Sequence, residues 1–295
     1  MVEFEVPEID YTRYSNRQLA AIPLALLVAA LLVIGGWSLF VTGTPAHPGP
    51  PTKLGIEFTG GTELTVSANA PTSQSQVASA FSEQVVSVRS VQLQQNTYVV
   101  TFQSTDQNAI EQQANAANYD VKSIEGTSPS FGQGTQKLAL YGVVIAFVAM
   151  SIVVFMLFRS FVPSIAVVLS AFGDIVIPVA LMNLLGISLS LGTVAALLML
   201  IGYSVDSDIL LNNHVLRRTG GFYESVARAM QTGVTMTVTS LAAMIVMTIV
   251  SALFNIGLLR SIGIILVFGL ATDLMNTYML NLSLLRWYKY EGVKR

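Results

Sequence analysis

Carboxylates inside apolar segments are the residues of this sequence whose surroundings point to chemistry. Asp174 and Asp273 lie midway along two long apolar stretches, and Asp206 and Asp208 lie toward one end of a third. An ionised carboxylate at the centre of a bilayer costs about 2.5–3.5 kcal/mol on insertion scales. A carboxyl held there can take a proton from one side and release it to the other, and one charge moved through 100 mV yields about 2.3 kcal/mol. The sequence therefore predicts a proton pathway through these acids.

Helical spacing assigns the two neighbouring acids to different faces of their helix. Asp206 shares a face with Tyr203, whereas Asp208 shares its face with Ser204 and Asn212. For Asp206 we favour a functional role. For Asp208, contact with solvent near the helix end is an equal alternative.

Asp273 heads a polar stripe of Asn276, Thr277 and Asn281 at i+3, i+4 and i+8. Such stripes also serve as packing contacts between membrane helices, and this alternative stays open here. Arg260 precedes the same stretch as either a snorkelling cation or a counter-ion of the acids. The candidates for the proton pathway are Asp206, Asp174, Asp208, Asp273, Arg260 and Tyr203.

Composition excludes most soluble enzyme classes. The chain is 53% hydrophobic and 11% charged, against about 25% charged residues in a soluble domain. There is no cysteine, and the two histidines are His47 and His214, which leaves no disulfide, thiol nucleophile or Cys/His metal cluster. With no phosphate-binding loop or hydrolase motif, we expect a non-enzyme without cofactor or metal. The net charge of −2 does not favour a nucleic-acid partner.

Six apolar stretches are long enough to cross a membrane. They are residues 19–41, 138–158, 161–185, 189–211, 232–254 and 262–285. Ten Lys and Arg residues fall in the loops and ends on one side, whereas the short loops on the other side carry only Arg260. Because positive residues mark the cytoplasmic side, we expect residues 1–18 and 286–295 to be cytoplasmic and residues 42–136 to lie outside. The ten are Arg13, Arg17, Arg159, Arg217, Arg218, Arg228, Arg286, Lys289, Lys294 and Arg295.

Residues 42–136 have the pattern of a small α+β domain between two linkers. Proline-rich residues 44–51 predict a stiff polyproline linker, and residues 126–134 predict a glycine/serine linker that lets the domain swing. Between them the pattern predicts an extracytoplasmic ferredoxin-like β-α-β-β-α-β domain, with Thr105 capping its second helix. The predicted elements are strand 63–66, helix 73–86, strands 88–93 and 98–102 around a turn at Gln95-Asn96, helix 105–117 and strand 119–124. The predicted fold class is thus an all-α bundle of six transmembrane helices with this domain inserted.

Residues 212–231 form the predicted cytoplasmic loop between the fourth and fifth spans. Phe222, Tyr223, Val226 and Met230 recur at helical spacing. This pattern favours a short helix lying on the inner membrane surface, and an ordinary loop with one helical turn is an equal alternative.

Two motifs resemble those of a known family. Residues 55–62, G-I-E-F-T-G-G-T, are similar to the G-[IL]-[DE]-F-x-G-G-[ST] element of the SecD/SecF family, through Gly55, Phe58, Gly60 and Gly61. These proteins are accessory subunits of the Sec protein-export channel, within the resistance-nodulation-division superfamily. The other motif is I-G-Y-S at residues 201–204, which contains Gly202, Tyr203 and Ser204.

The second motif departs from the family pattern at its acidic positions. Bacterial SecF proteins continue I-G-Y-S with [LV]-N-D-[ST], whereas residues 205–208 here are V-D-S-D. Since V-D is closer to SecD and to the wider superfamily, the resemblance carries the proton role first to Asp206 and second to Asp208. Asp174 matches an aspartate of SecF proteins, and Leu259-Arg260 is similar to their L-R-G element. Asp273 has no such counterpart.

The resemblance implies a SecF subunit that pairs with a SecD subunit, each contributing six helices, in the cytoplasmic membrane. Proton movement would drive outer domains that hold the polypeptide emerging from the Sec channel. The implied partners are SecD, the channel, translocating polypeptides and membrane lipid, and the acidic pattern suggests an archaeal member. Alternatives are a proton-coupled efflux subunit, which needs a larger outer domain, and a passive scaffold in which the acids only pair.

Overall fold

The computed structural model describes residues 11–47, 49–90, 96–217, 221–254 and 256–292. Within these residues, six helical segments are long and apolar enough to span a membrane, and a four-stranded sheet is inserted after the first. The predicted fold class is confirmed. Residues 1–10, Pro48, residues 91–95, Arg218 and residues 293–295 belong to predicted segments but lie outside the described residues. The spans are Asn16–Val41, Gly132–Phe158, Phe161–Leu185, Leu191–Arg217, Phe222–Leu253 and Gly257–Tyr290.

The first span is helix α1 (Asn16–Gly36), continued by a π-helical turn, Trp37–Val41. A capping box begins it: Ser15 Oγ accepts a hydrogen bond from the Gln18 amide, and the Gln18 side chain accepts one from the Ser15 amide. This satisfies two amides that lack helical partners, so the helix begins three residues before the predicted apolar stretch.

The α+β domain, defined here as Gly61–Thr127, follows a one-turn helix that precedes its first strand. Its four strands form an antiparallel sheet in the order β2-β3-β1-β4. The sequential order β-α-β-β-α-β agrees with the predicted ferredoxin-like domain. The elements are α2 (Ile56–Thr59), β1 (Gly61–Ala68), α3 (Gln74–Ser79), β2 (Val85–Ser90), β3 (Thr97–Phe102), α4 (Gln107–Ala116) and β4 (Tyr119–Thr127).

Two local predictions in this domain are wrong. Helix α3 ends at Ser79 rather than at residue 86, because Val85 pairs with Phe102 in the sheet instead of extending the helical face. Helix α4 is capped by Asp106, whose Oδ1 accepts from the Ala109 amide at 3.0 Å, and not by Thr105. The carboxylate lies one position nearer to the free amides of the helix start.

The remaining spans follow the domain with short connections. The second is α5 (Pro129–Phe158) and the third is α6 (Phe161–Leu185). The fourth is α7 (Leu191–Arg217) and the fifth is α8 (Phe222–Leu253). The last span consists of α9 (Gly257–Met275), a π-helical turn Asn276–Asn281, α10 (Leu282–Trp287) and a second π-helical turn Tyr288–Gly292.

Neither predicted linker is extended and free. After the first span the chain folds back on the helix end, where the Gly49 amide donates to Ser38 O at 2.9 Å and Thr42 Oγ1 donates to Pro50 O at 2.6 Å. The predicted glycine/serine linker is absent because β4 runs to Thr127 and α5 begins at Pro129. Proline fits the first turn of a helix, since the amide it lacks would have had no partner there.

The predicted surface helix of residues 222–230 is instead the first part of α8, which runs without a break to Leu253. Its apolar face, with Phe222, Val226 and Met230, is buried in a cluster with Tyr11 and Leu211. The interfacial position is therefore wrong, because α7 and the segment before α1 supply the apolar surface that the face packs on.

Candidate functional site

Three carboxylates from three different helices meet inside the bundle. Asp174 of α6 is 1% exposed, Asp208 of α7 is 0% exposed and Asp273 of α9 is 2% exposed. Gly173 makes room for this meeting, since a Cβ there would lie 2.7 Å from Asn276 Nδ2. We refer to Asp174, Asp208 and Asp273 as the acid cluster.

Asp174 is held by one donor from each neighbouring helix. Ser204 Oγ of α7 donates to its Oδ2 at 2.6 Å, and Asn276 Nδ2 of the last span donates to its Oδ1 at 2.7 Å. The carboxyl thus joins α6, α7 and the last span, with each oxygen paired once.

The other two acids share donors. Ser207 Oγ lies 2.9 Å and 3.0 Å from the two Asp273 oxygens. Thr277 Oγ1 lies 2.8 Å from Asp208 Oδ1 and 3.3 Å from Asp273 Oδ1. Asn281 Nδ2 also donates to Asp208 Oδ1, at 2.8 Å. Thr277 therefore contacts two members of the acid cluster at once.

The donors around the acid cluster are neutral. In the part of the chain that the structure describes, no salt bridge involves any of the three acids, and no group of three or more His, Cys, Asp or Glu side chains could hold a metal ion. Among the residues that the structure describes, Asp208 Oδ2 is buried and has no hydrogen-bond partner. Because uncompensated like charges in a low dielectric oppose one another, the three groups cannot all be ionised together, which suits groups that bind protons.

The π-helical turn distributes the polar side chains of the last span between two helices. Asn276, at its start, contacts Asp174 on α6, whereas Thr277 and Asn281 contact Asp208 on α7. A π-helical turn is wider than an α-helical one, so successive polar residues turn to different neighbours, and such turns occur frequently at functional sites.

Asp206 and Tyr203 lie apart from the acid cluster. Both are exposed on the outer face of α7, as their predicted shared face requires, while Ser204, Asp208 and Asn212 are buried. A cavity of about 100 Å³ between α7, α8 and α9 is lined by Tyr203, Asp206, Ser207 and Asp273. It has room for a few waters and connects the exposed acid with a buried one.

Arg260 is not brought to the acids. It is exposed in the first turn of α9, thirteen residues before Asp273, which is about 20 Å at 1.5 Å per residue. Gly202 lies on the exposed face of α7, where a Cβ would meet nothing within 4 Å.

Ser207 is the site residue that sequence reasoning missed. It lies between Asp206 and Asp208 in the sequence, yet its hydroxyl donates to Asp273 of the last span. A signal was present, since Ser204, Ser207 and Asp208 follow the i, i+3, i+4 pattern of one helical face. The polar stripe of the last span supplies donors to the acids.

The glycine motif forms the junction between the α+β domain and the bundle. Gly60 has φ 78° and Gly61 has φ 130°, a region that residues with a Cβ rarely adopt. A Cβ on Gly60 would lie 2.7 Å from the Pro129 backbone, and one on Gly61 would lie 2.4 Å from Phe102 O. Phe58 is buried beneath them. Only glycine allows strand β1 to approach the start of α5 so closely.

The same junction is bonded to the loop between α6 and α7. The Gly55 amide donates to Leu189 O at 2.7 Å, and the Leu189 amide donates to Lys53 O at 2.7 Å. Asn183 Nδ2 of α6 donates to Pro51 O at 2.8 Å. The segment that leads into the α+β domain is therefore hydrogen-bonded to α6, which carries Asp174, and to the loop before α7, which carries Asp208.

Comparison with known proteins identifies the family. A family model described as protein export membrane protein SecD/SecF, C-terminal, matches residues 107–291, and a model of the SecD/SecF GG motif matches residues 48–72. The chain belongs to the SecD/SecF family. Protein-export membrane proteins named SecF are 67% identical in Haloferax volcanii and 60% identical in Haloquadratum walsbyi, in both cases over the full length of both chains. A third, from Methanolacinia petrolearia, is 41% identical over 97% of this chain and 98% of its own length.

A solved structure shares the fold of this SecF-like chain. It is that of SecDF, a translocon-associated membrane protein from Thermus thermophilus, with a TM-score of 0.74 and 19% identity over 96% of this chain. The match spans 39% of that longer chain. The likeness supports the membrane bundle with its inserted domain, and the resemblance inferred from the glycine and I-G-Y-S motifs is confirmed at the level of the family.

Proposed function

We propose that this chain is the SecF half of a SecD–SecF assembly that assists polypeptide export through the Sec channel. It acts as a transport subunit without enzymatic activity, and protons moving through its buried carboxyls drive it. The observation that carries the proposal is the acid cluster, in which three carboxyls from three helices are held by neutral donors.

A partner subunit accounts for the exposed polar face of α7. Asp206 and Asn213 are exposed near the middle and in the C-terminal part of the candidate span Leu191–Arg217, where hydrocarbon contact costs a charged group several kcal/mol. A second helical half that covers this face removes the cost. The SecDF chain, which is longer than this one, fits such a two-part arrangement.

The junction at the glycine motif supplies a mechanical connection. Backbone bonds join Gly55 and Lys53 to Leu189, between the helices of Asp174 and Asp208. A proton-dependent shift of α6 against α7 would therefore reach the α+β domain through bonded backbone and not through a flexible linker.

The proton step is tested on the complex with its SecD subunit, reconstituted in vesicles with a pH-sensitive dye inside. Asp174→Asn, Asp208→Asn and Asp273→Asn each remove a proton-binding group, and we expect at least a tenfold loss of potential-driven proton uptake. Asp120→Asn, on the surface of the α+β domain, is the matched control. Uptake that stays at the control level in all three variants would show that the acids only join helices.

Orientation is tested by labelling, because the chain has no cysteine of its own. Single-cysteine variants Ser75→Cys and Glu224→Cys place thiols on exposed positions, one in the α+β domain and one in the first turn of α8. An impermeant maleimide added to intact cells is expected to label Ser75→Cys at once and Glu224→Cys only after permeabilisation. The reverse pattern would overturn the proposed topology.

The partner is tested by purifying the tagged chain in mild detergent. We expect a SecD-type membrane subunit to accompany it in a fixed ratio, and to be lost when Asp206 and Asn213 are both replaced by Arg. Recovery of the chain alone from cells that contain that subunit would contradict the assembly.

A further inference from the structure

One hydroxyl group lies between two buried carboxyls. Thr277 Oγ1 is 2.8 Å from Asp208 Oδ1 and 3.3 Å from Asp273 Oδ1, and Thr277, Asp208 and Asp273 are each at most 2% exposed. The 2.8 Å contact has the usual length of an O–H···O hydrogen bond, whereas the 3.3 Å contact is a longer and weaker one.

The number of hydroxyl protons limits how these contacts can be made. A threonine hydroxyl has one proton to donate and two lone pairs that accept. If it donates to Asp208, a hydrogen bond between it and Asp273 requires a proton on Asp273. If it donates to Asp273, the proton must be on Asp208. The neighbouring Ser207 is 3.0 Å from Asp273 Oδ2 and can donate there in either case.

We propose that Thr277 is a proton-relay residue that passes one proton between Asp273 and Asp208, an inference that rests on the proposed proton-driven function. In the step, the O–H bond of Asp273 breaks as its proton bonds to Thr277 Oγ1, and the original Thr277 proton moves to Asp208 Oδ1. Asp273 becomes a carboxylate, Asp208 becomes a carboxylic acid and Thr277 is unchanged. No charge is created, because one proton enters and one leaves the hydroxyl.

The cavity gives the first acid of this relay access to protons. It is lined by Asp273 and Ser207 at the buried end and by Asp206 at the exposed face, and its volume of about 100 Å³ has room for a few waters. Asp208 lies beyond Thr277 and does not line the cavity. A proton that arrives by water therefore reaches Asp273 first and Asp208 through the hydroxyl.

Local structure keeps the relay hydroxyl in place. Thr277 lies one helical turn after Asp273, at the start of the π-helical turn Asn276–Asn281. Asn281, at the end of that turn, donates to the same Asp208 oxygen at 2.8 Å. These bonds hold Asp208 Oδ1 at the distance that the transfer requires.

The relay is tested in the SecD-containing complex with two substitutions that differ by one oxygen atom. Thr277→Ser and Thr277→Ala both remove the methyl group, but only Thr277→Ser keeps the hydroxyl. We expect Thr277→Ser to stay within twofold of wild-type proton uptake and Thr277→Ala to lose at least tenfold. Thr277→Val, close to threonine in shape, is expected to lose as much as Thr277→Ala.

The matched control is Thr272→Val in the same span, where the hydroxyl donates to the backbone of its own helix, to Phe268 O at 2.8 Å. It is expected to keep wild-type uptake. Infrared spectra of the complex add a readout that structural damage would not mimic. The carboxylic acid band that Asp273→Asn removes and the carboxylate band that Asp208→Asn removes are both expected to shift in Thr277→Ala and to remain in Thr277→Ser.

The outcomes separate the relay from the proposed function. If Asp273→Asn abolishes uptake while Thr277→Ala and Thr277→Val keep it, the relay is wrong and proton-driven function stands. If Asp273→Asn, Asp208→Asn and Asp174→Asn all leave uptake unchanged, the proposed function itself fails. Should Thr277→Val not fold, the comparison of Thr277→Ser with Thr277→Ala decides.

Discussion

The α+β domain and the acid cluster bury opposite kinds of side chain. In the domain, the core is apolar, with Leu64, Val66 and Phe102 fully buried, and carboxylates such as Asp120 form surface ion pairs. In the bundle, Asp174, Asp208 and Asp273 are buried with neutral donors. The domain therefore obtains its stability from packing, whereas the bundle retains groups that burial disfavours.

We therefore expect substitutions in the core of the domain to affect stability, and substitutions of the buried acids to affect transport. Removing apolar volume from the domain costs folding free energy directly. Removing a donor to one of the buried acids leaves a carboxyl oxygen without a partner. The cost in folding free energy then depends on whether water takes the place of the donor. The predictions below test that contrast in order of decreasing expected effect on stability.

The largest effect is expected for Leu64→Ala in the centre of the sheet. Leu64 is 0% exposed, and loss of a buried leucine side chain costs about 2–5 kcal/mol. Hydrogen exchange of the full chain in detergent should show faster exchange in β1 and β3 but not in α6 and α7. Val86→Ala, at a position 49% exposed on the same sheet, should change exchange little. Equal effects of both would contradict an apolar core at Leu64.

The next effect is expected at the junction, for Gly61→Ala. The positive φ and the close approach of Phe102 O should cost about 1–3 kcal/mol and lower the melting temperature of the full chain. Gly134→Ala is the control, since it lies in α5 where a Cβ meets nothing within 4 Å, and alanine favours a helix over glycine by about 1 kcal/mol. Destabilisation by Gly134→Ala instead would show that α5 does not begin before that residue.

A similar or smaller loss of stability is expected for Asn276→Leu, which changes a donor to the acid cluster. It removes the donor at 2.7 Å from Asp174 Oδ1, and a buried acceptor without a partner costs about 1–3 kcal/mol. Thermal unfolding in detergent should show the loss, whereas Asn213→Leu on the exposed face of α7 should not. If the two variants unfold alike, the bond to Asp174 contributes nothing to stability.

The smallest effect is expected for Glu63→Gln, and it should depend on pH. Burial raises the pKa of the Glu63 carboxyl above its ordinary value, although Arg89 at 3.8 Å lowers it in part. Because the folded state holds this proton more tightly than the unfolded state, the domain loses stability as pH rises through the two pKa values. Glu63→Gln should then melt higher than wild type at pH 7, by a fraction of a kcal/mol because the side chain is partly exposed.

The control for this prediction is to compare the melting temperatures of Glu63→Gln and wild type again at acidic pH. Below both pKa values Glu63 is protonated in either state, so the advantage of Glu63→Gln should shrink as the pH is lowered. An advantage that is constant with pH would assign the effect to shape and not to ionisation.

Much of the fold could be predicted because it follows from local periodicity. Residue spacing alone was enough to predict the six apolar stretches and the separate faces of Asp206 and Asp208 on α7. The predicted linkers failed for a physical reason: proline and glycine mark where a chain can turn, but not what it will be bonded to. Ser38 and Asn183, which are bonded to Gly49 and Pro51 of the proline-rich segment, belong to the first and third spans.

Residue types and their spacing were enough to predict the membrane class, the inserted β-α-β-β-α-β domain, the family and the acids that are candidates for proton transfer. Which of those acids share partners depends on how the helices pack. Asp206 carries the resemblance but faces outward, whereas Asp273, without a family counterpart, shares Thr277 with Asp208. The reason is that periodicity fixes the face of one helix, while only the packing of α6, α7 and α9 brings their faces within hydrogen-bond distance.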